Sequence, residues 1–241
     1  MGTILLDEQR RTRFTLLQIM EGAEGILIIV AAYLTLFFKP LRDRWGLSSK
    51  EANSPFPGDH LVPQPRSEFV HAIEINAPAS LVWPWIAQIG QGRGGFYSYE
   101  ALENIFGLQI YNSDKILPEF QHPKIGDLIP FSPKDAYPVV IYEPGKAMAI
   151  ENWYDLNKNS VYNQALESPM NYLHLSWLWM VEPLDDNRSR FISRNRLDYS
   201  PSLKNSLLFG ILGEPVVFAM DRKMFYGIIR RAENLYRTAA Q

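Results

Sequence analysis

Between Tyr172 and Val181 the side chains alternate, with Leu173, Leu175, Trp177, Trp179 and Val181 on one face and Tyr172, His174, Ser176, Leu178 and Met180 on the other. A period of two predicts a β-strand. The same pattern predicts strands over Phe69 to Ile75 and over Arg190 to Tyr199, the latter a hairpin partner across the turn at Asp185-Asp186-Asn187. Shorter strands are expected at Leu128 to Phe131, Val139 to Tyr142 and Met148 to Tyr154, separated by Gly126-Asp127, Pro138 and Pro144-Gly145.

Elsewhere the apolar residues recur in steps of three and four. Val82, Trp85, Ile86 and Ile89 follow Pro78 and Ser80 as the buried stripe of a helix, with Pro84 predicting a kink or a late start. A second helix is expected from Tyr99 to Phe106, with Ser98 as its cap, Glu100 near its positive end and Gly107 as its stop. The last begins near Pro215, with Val217, Met220, Met224, Ile228 and Leu235 inward and Arg222, Lys223, Arg230, Arg231 and Glu233 toward water. The order is strand, two helices, several antiparallel strands and a long helix, which is an α+β arrangement.

The first part of the chain is built differently. Arg10, Arg11 and Arg13 precede a mostly apolar run from Leu16 to Phe38, broken by Gln18, Glu21 and Glu24 and followed by Lys39, Arg42, Arg44 and Trp45. Its unbroken part, Gly25 to Phe38, falls short of the roughly 20 residues that cross a bilayer. Counting from Leu16 gives enough length only if Glu21 and Glu24 enter the membrane edge or face a partner. Residues 15–38 therefore read either as a membrane anchor or as a long helix packed on the protein's own surface or in a dimer; the basic and aromatic boundary favours the membrane. The chain is accordingly expected to be membrane-associated or cytoplasmic. Gly46 to Arg66, rich in Pro, Gly, Ser, Asn and Asp, reads as an extended arm. Three segments result: 1–45, helical; 46–66, a linker or arm; and 67–241, a compact domain.

Composition narrows the chemistry. With 24 basic and 26 acidic residues and no long basic run, the 241-residue chain offers no reason to expect a nucleic-acid partner. The absence of cysteine excludes a disulfide scaffold, a thiolate nucleophile and a cysteine-based zinc site. The four histidines, His60, His71, His122 and His174, are scattered without metal-ligand spacing, so neither a metal nor a cofactor is expected. Gly90, Gly92 and Gly95 do spell G-x-G-x-x-G, but a predicted helix precedes them where a dinucleotide fold needs a strand. Aromatic residues make up 13% of the chain, including six Trp, which fits either an aromatic core or a cavity with aromatic walls.

The words Val82-Trp83-Pro84-Trp85, Gln88-Ile89-Gly90-Gln91, Arg93-Gly94-Gly95-Phe96-Tyr97-Ser98-Tyr99 and Leu102-Glu103-Asn104 resemble a bacterial group within the SRPBCC superfamily, the START-related, polyketide-cyclase-like helix-grip proteins. The resemblance runs in register from about Trp45 to Ala240 and includes Pro57-Gly58-Asp59, Leu61-Val62-Pro63, Asn112 to Ile116 and Gly126-Asp127. It implies a helix-grip fold: a curved antiparallel sheet wrapped around the long C-terminal helix, with a cavity between them closed by the two small helices and their loop. The function expected is binding of a hydrophobic or amphipathic small molecule, lipid-like in character. A cyclase or dehydratase acting on an apolar carbonyl substrate, and an interaction module without ligand, are the alternatives.

Within that fold the candidate ligand-binding residues are Arg93, Tyr97, Tyr99, Trp153, Trp177, Trp179 and Met224. Arg93, at the expected cavity mouth, either grips an oxygen-bearing ligand group or ties its loop to a backbone carbonyl or a nearby acid. Tyr97 and Tyr99 either offer hydroxyls or serve as packing anchors, the commoner role. The three tryptophans read as wall or as core, and Met220, Met224 and the small Gly227 are expected to leave room beside the final helix. Arg194 and Arg196 are expected on a solvated convex face. No catalytic residue stands out, although a cyclase would need a base, for which Glu151, Asp114 and His174 are eligible.

Overall fold

The computed structural model describes residues 15–239, so Arg10, Arg11 and Arg13 lie outside the described residues. Helix α1 spans Leu16–Leu34, and β1 (Ser67–Ile75) leads into α2 (Ala79–Ala87) and α3 (Glu100–Ile105). Six further strands follow: β2 (Leu128–Pro130), β3 (Ala136–Glu143), β4 (Ala147–Asp155), β5 (Ser160–Val161), β6 (Tyr172–Pro183) and β7 (Ser189–Tyr199). They form one antiparallel, curved sheet in the order β1-β7-β6-β4-β3-β2, with β5 paired to β4. Helix α4 (Gly213–Ala239) continues a turn at Leu203–Asn205 and a π-helical stretch at Ser206–Leu212, so the terminal helix runs 37 residues from Leu203. This is an α+β helix-grip architecture.

The sheet's two faces are covered by different parts of the chain. Met148, Ile150, Trp179, Val181 and Phe191 point to the concave side, where they bury Met224, Phe225, Ile228 and Ala232 of α4 together with Val82, Trp85 and Ile86 of α2. On the other face Ala72, Ala147 and Ala149 lie beside Leu178, Met180 and Ile192, and there Leu47, Ala52 and Phe56 of the 46–66 stretch cover them. The arm is thus a second layer on the sheet. Pro138, expected to separate two elements, lies inside β3 opposite Leu128 of the edge strand β2, and the register irregularity follows at once, between Val139 and Ile141.

Arg194 and Arg196 do lie on the convex face, but they are buried, at 5% and 8% exposure. Arg194 Nε donates to Asp59 Oδ1 at 2.8 Å and its Nη1 to the Ala52 carbonyl at 3.2 Å; Arg196 Nε donates to the Val62 carbonyl at 2.9 Å. Glu68 pairs with both. The expectation of solvent fails because the arm brings a carboxyl group and backbone acceptors onto the two guanidiniums, which makes their burial tolerable.

Helix α1 is fastened to the grip by both of the glutamates that interrupt its apolar run. Glu21 accepts from Lys223 at 2.8 Å and Glu24 from Arg222 at 3.4 Å, so these two cations of α4 face α1. Gly22 and Gly25 let α1 lie against α3: a Cβ at Gly25 would stand 2.8 Å from Leu102 and 3.0 Å from the Tyr99 ring. Below α1, Arg42 makes a two-pronged pair with Glu214, both bonds 2.8 Å, at the start of α4.

Gly227 does not leave room, contrary to expectation. A Cβ there would stand 2.5 Å from the Tyr97 carbonyl oxygen, because Tyr97, held at φ 56° with its N–H on Asn112 Oδ1 at 2.6 Å, presses its backbone onto α4. The missing side chain is a contact, not a void. Gly227→Ala is expected to lower unfolding stability by about 1–3 kcal/mol through overpacking, outweighing the ~1 kcal/mol that Ala gains in helix propensity. Urea titration measures this; stability at or above the parent's would mean the contact is loose.

Candidate functional site

A cavity of about 220 Å³ lies between the concave face and the N-terminal half of α4. Phe96 from the glycine loop, Phe131 after β2 and Trp177 of β6 supply its aromatic wall, and Val217, Met220 and Met224 supply the helix side. The wall is fixed in place. Trp177 Nε1 donates to Ser193 Oγ at 2.8 Å, and Phe96 stacks parallel to Trp177 with ring centres 6.0 Å apart, while Phe131 packs against both.

Four polar residues reach this apolar space: Ser98, Glu103, Asn195 and Asp221. Ser98 Oγ is occupied, donating to the Met220 carbonyl at 3.3 Å. Asp221, 2% exposed, lies 2.8 Å through Oδ2 from His71 Nδ1 and accepts from Ser193 Oγ at 3.1 Å. The order is Trp177, Ser193, Asp221, His71, with the hydroxyl on the carboxyl group and not on the imidazole. That is the wrong order for a serine nucleophile with a histidine base. Glu103 is 5% exposed, and its Oε2 and the Asn195 Nδ2 are buried without a partner. Burial, reinforced by the nearby Glu100, pushes the Glu103 carboxyl up to about 8, so it is mostly protonated at neutral pH. Among the described residues no Lys or Arg lines the cavity.

The structure divides the residues nominated from sequence. Trp177 and Met224 line the cavity, and Trp179 packs one layer behind, 4.7 Å from Trp177 between ring centres. Arg93 turns away: its Nη2 donates to the Ala87 carbonyl at 2.8 Å and its guanidinium lies 4.6 Å over the Phe120 ring, which is the loop-tying role. Tyr97 and Tyr99 are packing anchors. The Tyr97 hydroxyl accepts from Gln88 Nε2 at 2.9 Å under the Arg231 guanidinium, and burial pushes it up. Tyr99 precedes α3 against Gly25 with Lys223 5.1 Å over its ring, and burial pushes its hydroxyl up to about 12. Trp153 stands on the convex face, stacked on His174 at 3.6 Å, and so is no wall of this cavity.

The three eligible bases are likewise elsewhere. Glu151 pairs with His174 at 2.7 Å on the convex face, and Asp114 is exposed and paired with Arg231 at 2.7 Å. Glu103, Asn195 and Asp221 were missed. Asn195 carried a signal, since it has the opposite parity to Arg194 and Arg196 on a strand whose arginines read as convex. Glu103 stands one helical turn after Glu100, whose Oε1 accepts from the Asn112 N–H at 2.5 Å; nothing in the spacing said which of the two acids turned inward.

The glycine loop is not an anion cradle. Gly90 and Gly95 exchange N–H···O bonds of 3.1 and 3.0 Å, Gly94 donates to Gln88 at 2.7 Å and Gln91 to Pro130 at 2.7 Å, which consumes the donors a phosphate would need. Among the described residues no group of three or more His, Asp or Glu is placed to hold a metal ion.

No family model matches this chain, and neither does any curated protein. Solved structures of similar fold include a protein from Mesorhizobium loti, 13% identical, covering 70% of this chain and 98% of that one with a TM-score of 0.37. A hypothetical protein from Helicobacter pylori is 12% identical over 73% of this chain and 94% of its own, with a TM-score of 0.38. The Zhui aromatase/cyclase from Streptomyces sp. R1128 is 13% identical over 72% and 97%, with a TM-score of 0.28. At these scores the functional reading rests on the geometry of this chain.

The raised Glu103 carboxyl has a consequence for stability. Its ordinary value is 4.5 and its folded value about 8, so the folded state holds a proton that the unfolded chain releases. This contribution is fully present below pH 4.5 and is lost as pH rises toward 8. Urea midpoints measured from pH 5 to 8.5 are therefore expected to fall more steeply for the parent than for Glu103→Gln. Parallel curves would place the Glu103 carboxyl in water.

Proposed function

We propose that this protein binds a small hydrophobic or amphipathic molecule in the cavity between the sheet and α4, and that it is a helix-grip domain of the SRPBCC type. One observation carries the reading: an apolar space with aromatic walls held in place by hydrogen bonding and stacking, whose lining keeps unpartnered polar atoms. Its 220 Å³ is below the ~300–1,000 Å³ of drug-sized sites, so the guest is small. Met220 and Met224, unbranched and flexible, give the helix wall some ability to adapt.

A second reading, an enzyme of the cyclase or dehydratase kind, is favoured by one feature, a neutral carboxylic acid in a mostly apolar cavity where it could protonate a carbonyl substrate. Glu103 would be its acid. The binding reading requires less, because it asks for no proton transfer and no second catalytic group.

We further infer that the protein rests on a membrane through α1 and the π-helical stretch. Leu16, Leu17, Ile26, Leu27 and Leu34 are exposed on α1, as are Leu207, Leu208, Ile211 and Leu212, and the Tyr33 hydroxyl joins the two by donating to the Leu212 carbonyl at 2.5 Å. Exposed apolar side chains on two helical segments joined in this way fit a lipid interface. Because Glu21 and Glu24 pair with α4, α1 lies alongside the domain as an interfacial helix. The same surface continues to Val216, which is exposed and also lines the cavity, so a guest has an apolar route between the two.

Native mass spectrometry of the gently purified full chain is expected to show a bound apolar compound that Val217→Phe, which fills the cavity, abolishes while the circular dichroism spectrum is kept. A guest retained by Val217→Phe would move the site elsewhere. Mixed with vesicles of phosphatidylcholine and phosphatidylglycerol, the full chain is expected to sediment with lipid, and the Leu27→Glu, Leu208→Glu double variant to stay in the supernatant. Parent protein in the supernatant would end the membrane reading.

A further inference from the structure

Glu103 of α3 and Asn195 of β7 both line the cavity, and both keep a buried polar atom without a partner. Among the described residues, these are the unpartnered buried atoms of the cavity lining. An unmet polar group in an apolar interior costs about 1–3 kcal/mol, which a ligand that meets it removes. We propose that Glu103 and Asn195 form a recognition site for an uncharged oxygen, a carbonyl or a hydroxyl, on an otherwise apolar ligand, and that the cavity rejects carboxylates. The inference rests on the cavity being a ligand site and adds the polar half of what that ligand must carry.

Two chemical facts support the choice of an uncharged oxygen. The Asn195 amide nitrogen is a donor only, and the Glu103 carboxyl, neutral below about pH 8, donates through its O–H; both therefore seek an acceptor. The other ionisable group at the wall is Asp221, a second acid, and among the described residues no cation lines the cavity to offset an incoming negative charge. A carboxylate would give up its hydration in a medium of low dielectric with a second carboxyl group, Asp221, on the same lining, whereas a ketone brings no charge and needs only a donor. Arg93, the residue that would have welcomed an anion, is held on the Ala87 carbonyl.

Three probes share one apolar body: naphthalene, 2-acetylnaphthalene and 2-naphthoate. Their affinities for the full chain are read at pH 7 by quenching of tryptophan fluorescence. The ketone is expected to bind about tenfold more tightly than naphthalene, the scale of one or two hydrogen bonds, and naphthoate to bind weakest. Glu103→Leu and Asn195→Leu are each expected to lower ketone affinity about five- to tenfold and leave naphthalene unchanged, while Glu103→Gln, which keeps a donor, retains the ketone preference. Should a leucine variant fail to fold, Asn195→Asp, which replaces the donor by an acceptor, is expected to abolish the preference in its place. Naphthalene binding without a ketone preference, or naphthoate binding as tightly as the ketone, overturns this inference and leaves the cavity reading intact. Failure of all three probes to bind overturns both.

Discussion

The arrangement depends on one buried carboxyl group. Asp221 sits on the long terminal helix and is bonded at once to His71 of β1 and Ser193 of β7, two adjacent strands. An acid so deeply buried is tolerable only with its partners in place, so the helix has one rotation and one seat across the sheet. From that seat Phe225, Ile228 and Ala232, on the turns that follow, are driven into the concave face and α2. Ser193 passes the constraint on to Trp177, whose indole it orients.

The cavity is what this seating leaves beside Asp221. On the C-terminal side of that residue the helix is pressed close, to the point that Gly227 meets the Tyr97 backbone directly. Around and before it, Val217, Met220 and Met224 face rings that are already committed to one another. Aromatic residues anchored by a hydrogen bond and by stacking cannot relax into the gap, which is how a void survives beside a close-packed helix seat. Glu103 Oε2 and Asn195 Nδ2 are then the chemically informative atoms of the lining, because the fold itself gives them nothing to bind.

Much of the architecture was legible from side-chain periodicity. Alternation along Tyr172 to Val181 predicted its strand and sorted its two faces, and the helical spacing of Val217, Met220, Met224 and Ile228 marked the inward stripe of the last helix. What periodicity does not carry is which face of a second strand joins which face of the first. Trp153 went to the convex side because its register pairs it with His174, although its parity with Ala147 and Ala149, the small residues beneath the arm, was a usable hint. Arg93 and Gly227 were limited for another reason: residue type left Arg93 open between a ligand grip and a tie to its own loop and read Gly227 as space, while the close approach of Ala87 and Tyr97 decided their roles. Contacts between segments distant in sequence, such as Asp59 with Arg194 and Arg196, are invisible to any local pattern.

The claim underneath all of this is that a real hollow exists between the strands and the helix. Xenon, an inert atom that enters dry cavities by size alone, tests it without assuming a ligand. In crystals of the full chain pressurised with xenon, density is expected in contact with Phe96, Trp177 and Met224. Well-ordered crystals in which those side chains interlock and no xenon enters between them would contradict the account.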